Sequence, residues 1–277
     1  MSANPGVRYL SPAAHWWATM TATLRSQMFI DTTYLISIIR QPLGGALFFL
    51  LIWITYQASG QSVVAGTSAA GFLLIGQVGV EAWGSTIWSS GYAIQHERSL
   101  GTIGALFLSP ASRVAVILGY GVSGFLWSLP SLLVLLILGL IAGARFEVAD
   151  PLAVLAALVA VYGGSLAVGF ACASAFILSR RGNLIANALQ TPIHLLAGFL
   201  VPRSSLPEVF QAISNVIPAA HSIDALRAST LNGASLGDIW PALAATLGTS
   251  LGFVVIGAWG LRRVEFAARR SGSLELY

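Results

Sequence analysis

Residues 96–113 read HERSLGTIGALFLSPASR, and they stand between two long apolar runs. The stretch carries charge at both ends, sets Leu100, Ile103, Leu106 and Phe107 at roughly helical spacing, and closes on Ser109-Pro110. This pattern predicts one short amphipathic helix. Glu97 suits the positive end of a helix dipole, and Ser109-Pro110 stops the helix because the residue before a proline is held extended. A plain connector could be shorter and wholly polar. The segment therefore either docks in a groove of a partner or anchors its loop at a membrane surface, and periodicity alone leaves both open.

The surrounding composition says which kind of protein holds such a segment. Of 277 residues, 56% are hydrophobic and 9% charged, with a mean hydropathy of +0.79. Soluble domains carry about a quarter charged residues, so this chain reads as an integral membrane protein forming one helical bundle over 1–277. A crossing helix needs about 20 mostly apolar residues. Six stretches qualify, near 38–58, 68–93, 114–143, 151–178, 184–202 and 239–261. The first is the weakest, with an uninterrupted apolar core only from Leu43 to Tyr56 after Arg40-Gln41-Pro42; the third is long enough to tilt or to break at Pro130.

The arginines orient these spans. Arg8, Arg25, Arg40, Arg98, Arg113, Arg180, Arg181, Arg262, Arg263, Arg269 and Arg270 fall on one face, against Arg145, Arg203 and Arg227 on the other. By the positive-inside rule the first face is cytoplasmic, which places both termini and residues 96–113 inside. The opening MSANPGVRYLSPAAHWWATM lacks a signal-peptide core and is expected to be a retained cytoplasmic start. Residues 13–35, with Trp16, Trp17, Met20, Leu24, Met28 and Phe29 among polar residues, are expected to form a helix along the inner leaflet, its large apolar side chains broadly on one side; packing into the bundle is the alternative.

Composition also excludes chemistry. All fourteen basic residues are Arg. Without Lys the chain cannot carry a P-loop ATP site or form a Schiff base. The lone Cys172 rules out an intrachain disulfide or a Cys-rich metal site, and it reads as a buried small hydrophobe. Complete use of Arg hints at a GC-rich bacterial genome. The net charge of +4 gives no reason to expect a nucleic-acid partner. GASLG at 233–237 matches G-x-S-x-G, but it lies in a short outer loop with His221 and Asp224 before it rather than after, so no hydrolase is supported. HERSL lacks the second His of a zinc motif, and His15, His96, His194 and His221 are too dispersed for a metal site.

Two spans carry ordered polar sets. Gln77, Glu81, Gly84 and Trp88 follow steps of 4, 3 and 4, and so do Asn183, Asn187, Gln190 and His194, so each set lies on one helical face. Ionisable residues inside a bilayer usually face the bundle interior. Both stripes are read as facing a translocation path or a dimer seam, with Glu81 and His194 at similar depth and in contact; interhelical packing is the alternative. Ser165, Gly169 and Ala173 permit close helix approach, and Trp53, Tyr56, Trp83, Trp88, Trp240 and Trp259 read as packing or interface aromatics.

The run ERSLGTIGALFLSPASRVAVILG resembles the Glu-Arg-x-x-Gly-Thr…Leu…Ser-Pro…Arg…Gly pattern of permease subunits of ABC-2 type exporters, through Glu97, Arg98, Gly101, Thr102, Leu106, Ser109, Pro110, Arg113 and Gly119. LPEVFQAISNVIPAAHSIDALRASTLNG resembles that family's segment before the last span, through Leu206-Pro207, Pro218, Arg227 and Gly233. The resemblance implies an all-α membrane subunit with six spans, an N-terminal interfacial helix, a cytoplasmic coupling helix after span two, and short re-entrant helices before the last span. It further implies a chain that is not itself an enzyme and takes no cofactor. Its partners would be a second permease, identical or homologous, membrane lipid, and two ATP-binding subunits that hold ATP and Mg. The expected activity is export of an amphipathic drug, antibiotic, lipid or lipid-linked glycan from a bacterial cytoplasmic membrane. Half of a dimeric secondary transporter and a non-transporting scaffold subunit are the other readings.

Overall fold

The computed structural model describes residues 11–33, 35–91, 93–178 and 182–271, and these are mostly helical. In chain order they form α1 (Pro12–Thr33), α2 (Leu35–Ala58), a hairpin of β1 (Val63–Val64) and β2 (Thr67–Ser68), α3 (Ala69–Thr86), a π-helical turn (Ile87–Gly91), α4 (Ala93–Ser99) and α5 (Ile103–Leu108). There follow α6 (Arg113–Ile141), α7 (Pro151–Leu178), α8 (Gly182–Leu196), a 3₁₀ turn (Arg203–Ser205), α9 (Glu208–Ser214), α10 (Pro218–Leu231) and α11 (Leu236–Ser271).

Among the described residues, four stretches of helix are long and apolar enough to cross a membrane: Ile39–Ala58, Arg113–Ile141, Pro151–Phe176 and Leu236–Arg263. Helices also stand at the second and fifth expected spans, and each falls short for a physical reason. In α3, Gln77 and Glu81 dilute the apolar run, and most of the helix is buried against other helices. At 15 residues, α8 extends about 22 Å, less than the hydrocarbon thickness. It stops where Gly198 takes φ +75° and Phe199 N–H turns back to His194 C=O at 3.0 Å.

The first and third spans also differ from expectation in detail. The helix containing Arg40-Gln41-Pro42 starts earlier, at Leu35, and runs through the proline. α6 is unbroken through Pro130. Beside that proline the Ser128 hydroxyl bonds Phe125 C=O at 2.7 Å and lies 2.8 Å from the Tyr162 hydroxyl, fastening α6 to α7.

α7 forms the spine, packed along α10 and α11, and α3 lies against α6, α7 and α10. Ala82, Val161, Phe176, Phe199 and Ile223 make the main core. α1 lies on α6, where Gly119 allows backbone contact: a Cβ there would stand 2.8 Å from Met20 O. The apolar residues of α1 do not gather on a buried face. None of its residues is buried, and Trp17 and Phe29 remain exposed.

The ends of several elements are tied by short polar devices. Ala65 and Gly66, at φ 50° and 80°, close the β1–β2 hairpin in the left-handed pair that suits a two-residue turn. Asp150 caps α7 by accepting from Leu152 N–H at 3.0 Å, and its other oxygen accepts from Leu236 N–H at 3.0 Å, joining the starts of α7 and α11. Ser235 of the GASLG run sits before α11, where the Asp238 carboxylate accepts from its N–H and its hydroxyl at 2.9 and 2.7 Å.

Candidate functional site: a polar cleft and the turn beside it

The expected single helix over 96–113 is two helices with a hinge between them. α4 ends at Ser99, Gly101 takes φ +73°, and α5 starts at Ile103. A left-handed residue without a Cβ turns the chain there at little steric cost. Glu97 consequently lies near the end of α4, not at the positive end of a helix. Its carboxylate instead accepts from the Tyr120 hydroxyl of α6 at 2.7 Å and, on its other oxygen, from the Thr102 hydroxyl. Thr102 N–H also donates to Glu97 C=O at 3.0 Å, closing the Gly101 turn. Leu106 turns inward, packing with Val116, Ile117, Tyr120, Phe170 and Leu261 of this chain. Leu100 and Pro110 are exposed. The Ser109 hydroxyl donates to Leu106 C=O at 2.9 Å, and Ser112 caps α6, which Arg113 begins. Arg98 lies in α4, with its side chain outside the described residues.

Beside this turn opens a polar cleft in two adjoining lobes, which share Arg40, Gln41, Ser85 and Trp88. One lobe, of about 510 Å³, is lined by residues of α1, α2, α3, the π turn, α4 and α6, including Asp31, His96, Tyr120 and Trp127. The other, of about 710 Å³, reaches Glu81 and Gln190. Burial pushes the Asp31 carboxyl above its usual range, and the charges of His96 and Arg40 oppose that shift. The π turn shapes the wall. Gly124 on α6 and Gly169 on α7 close on it from two sides, since a Cβ at either would stand 2.5 Å from Ser89 Oγ or 2.4 Å from Ser90 Oγ.

Of the first polar stripe, Gln77 and Glu81 are buried, and Glu81 and Trp88 line the cleft. Glu81 is held from α2: Gln41 Nε2 donates to its Oε2 at 3.4 Å, the Gln77 amide also hydrogen-bonds it, and Gly45 makes room, because a Cβ there would lie 2.4 Å from Oε1. Of the second stripe only Gln190 lines the cleft; Asn187 is exposed, and the side chain of Asn183 lies outside the described residues. The expected Glu81–His194 contact is not among the hydrogen bonds described for either residue. His194 is buried with its ring 5.8 Å from that of Phe199.

The segment holding α9 and α10 is a clamp on the end of α8. Arg227 of α10, only 9% exposed, donates to Gly198, Phe199 and Phe72 carbonyls at 2.7, 3.1 and 3.3 Å, and its guanidinium lies 3.7 Å over the Phe72 ring. Ser214 donates to Leu196 C=O at 2.6 Å and Tyr56 to Leu200 C=O at 2.8 Å. Carbonyls left over at the end of a helix are thus answered by three elements. Pro207 precedes α9, and Pro218 starts α10 against Gly164.

Sequence reasoning passed over Asp31, Gln41 and Tyr120. Arg40 and Gln41 read as a boundary because the helix was expected to start beside them. Tyr120 sits in an apolar run, and its one signal is the flanking pair Gly119 and Gly121, which lets neighbouring elements close around it.

The profile of the family described as ABC-2 type transporter matches residues 12–231. Over 160 residues the chain is 26% identical to the inner membrane transport permease YhhJ of Escherichia coli (strain K12), and equally to that of Shigella flexneri. Each match covers 55% of this chain and 41% of the relative, so the similarity spans about two fifths of those proteins. A profile match from α1 through α10, on a bundle of apolar helices around a polar cleft, identifies the chain as a membrane component of the ABC-2 type transporter family.

Proposed function

We propose that the chain is the transmembrane permease subunit of an ATP-driven exporter in a bacterial cytoplasmic membrane, with both termini cytoplasmic. In this reading α2, α3 with its π turn, α6, α7, α8 and α11 make six crossings, and α9 and α10 dip into the outer leaflet. Two permeases, identical or homologous, pair and engage two ATP-binding subunits that hold ATP and Mg; this chain takes no cofactor of its own. The segment from Glu97 through Arg98, Gly101 and Thr102 to Arg113 is the contact with the ATPase. The stripe Gln77, Glu81, Trp88, Asn183, Asn187, Gln190 and His194 marks the path or the dimer seam.

The observation that carries this reading is a shared wall. His96 and Ser99, which lead into the cytoplasmic turn, line the cleft, and so does Tyr120 of α6, which the Glu97 carboxylate beside that turn holds. Work done on that turn can therefore change the cleft. The lining suits an amphipathic substrate such as a drug, antibiotic, lipid or lipid-linked glycan: Trp88 and Trp127 offer flat apolar faces, and Gln41, Ser85 and Gln190 offer hydrogen bonds.

The test is co-expression with any ATP-binding subunit encoded in a neighbouring reading frame, followed by purification and assay of inverted membrane vesicles with an amphipathic fluorescent dye. Stoichiometric retention of that subunit and ATP-dependent dye uptake that falls in Glu81→Gln and Trp88→Ala are expected. Uptake driven by a proton gradient alone would point instead to a dimeric secondary transporter. Neither uptake nor retention would leave a scaffold subunit.

A further inference from the structure

We infer that Tyr120 is a positioning residue for coupling, joining α6 to the turn between α4 and α5 so that the two move as one body. The inference rests on the exporter reading above. Tyr120 lies one residue past the last position of the sequence pattern around Glu97, and nothing in that pattern assigns it a role.

The geometry is specific. Tyr120 is 5% exposed and lies about two turns, or 10 Å, into α6 from Arg113. Two consecutive residues of α4 grip it: Glu97 accepts from its hydroxyl at 2.7 Å, and the His96 ring meets its ring edge-on at 6.0 Å and 75°. The other carboxylate oxygen of Glu97 takes the Thr102 hydroxyl. One carboxylate thus ties three pieces: the end of α4, the start of α5 and the buried part of α6.

The covalent route is looser than this polar one. Between α4 and α6 the chain passes through the left-handed Gly101 and then through Ser109-Pro110, a potential hinge on either side of α5. A push on α5 could be absorbed at those hinges. Through Thr102, Glu97 and Tyr120 it reaches α6 directly. Ser123, Gly124 and Trp127, within two turns beyond Tyr120 on α6, line the same lobe of the cleft. The Thr102 N–H to Glu97 C=O bond and the packing of Leu106 on α6 run beside this route, but the two side-chain hydrogen bonds act in series through the Glu97 carboxylate, so breaking either one interrupts the polar link.

The test uses the permease co-purified with its ATP-binding subunits in lipid nanodiscs, measuring turnover and KM for ATP. Hydrogen exchange across 97–108 is followed in the same samples. Tyr120→Phe and Thr102→Val are each expected to lower turnover about fivefold with KM unchanged. The double variant should be no worse than the stronger single one. Thr102→Ser, which keeps the hydroxyl, should recover wild-type turnover, and Tyr120→Phe should speed exchange at 97–103. Independent losses in the double variant, a raised KM, or wild-type turnover in Tyr120→Phe would overturn the inference alone. If the wild-type chain retains no ATP-binding subunit, the exporter reading falls and the inference falls with it.

Discussion

Replacing Arg227 with Met should destabilise the bundle while leaving it inserted in the membrane. The side chains are similar in volume, so the change chiefly removes donors. The Gly198 and Phe199 carbonyls lose their partner, while Phe72 C=O, inside α3, keeps its helical bond from Gly76 N–H. A buried acceptor left unanswered costs about 1–3 kcal/mol, so the two together cost about 2–6 kcal/mol. The contact over the Phe72 ring adds about 1 kcal/mol. Against this, the variant no longer buries a guanidinium, which returns several kcal/mol. The net loss is about 2 kcal/mol, or a fall of about 4–8 °C in the melting temperature of a bundle this size. The assay is thermal unfolding of the purified chain in a fixed detergent, followed by tryptophan fluorescence. Asp224→Asn is the control, since its carboxylate pairs with Arg203 at 2.6 Å and lies near the surface; it should shift melting by about 1 °C or less. Arg227→Met melting with the wild type would refute the clamp and turn Arg227 into a group held ready for a ligand.

Further outcomes follow from the same geometry. Gly76→Ala should lower the melting temperature more than an ordinary overpacking change of about 1–3 kcal/mol, because its Cβ would lie 1.8 Å from Phe199 O. Gly104→Ala, which meets nothing within 4 Å in α5, should be neutral or stabilise by about 0.5–1 kcal/mol in the same scan. Gly101→Ala forces a side chain into the left-handed region at a cost of about 1–2 kcal/mol, and limited proteolysis should then cut within 97–108 faster than in the wild type. Donation from Leu236 N–H, assisted by Ala153 and Leu152, holds the Asp150 carboxyl below its usual range. Its contribution is therefore complete above about pH 4 and is lost as pH falls through the depressed value. Asp150→Asn should melt lower than the wild type at pH 7 and lose less on acidification; equal pH dependence of the two proteins would remove Asp150 from the account.

Helices stand on all six apolar runs because the need to bury or shield apolar surface is written locally. The span at 151–178 is a good instance: Asp150 caps it and Pro151 suits its first turn, so its start was readable. The 4, 3, 4 spacing likewise put Gln77 and Glu81 on one side of their helix. What that spacing could not contain was which helix would face them. Gly45 and Gln41 bring α2 onto Glu81, and the His194 ring lies beside that of Phe199. The end of α8 was hidden for a related reason. Ala197-Gly198-Phe199-Leu200 reads as a continuing apolar span, and only the distant donors Arg227, Tyr56 and Ser214 make it profitable for the backbone to turn there. The hinge inside 96–113 was foreshadowed by Gly101 alone. A single Gly in an amphipathic run carries too little information to split one helix into two.

The π turn at Ile87–Gly91 has a consequence for how α4 is aimed. A π turn inserts about one residue beyond what an α-helix would use, and each residue turns a helix by about 100°. The direction in which Glu97 leaves the bundle is therefore set by a residue count upstream of it. Deleting one residue between 87 and 91 would let the helix close as plain α and leave everything after it near its present direction, whereas closing all five residues as plain α would swing it by roughly a quarter turn. Glu97 would then face away from Tyr120, although every side chain of the pattern was still present. In this chain, spacing across the π turn is as much a part of the motif as the residues themselves.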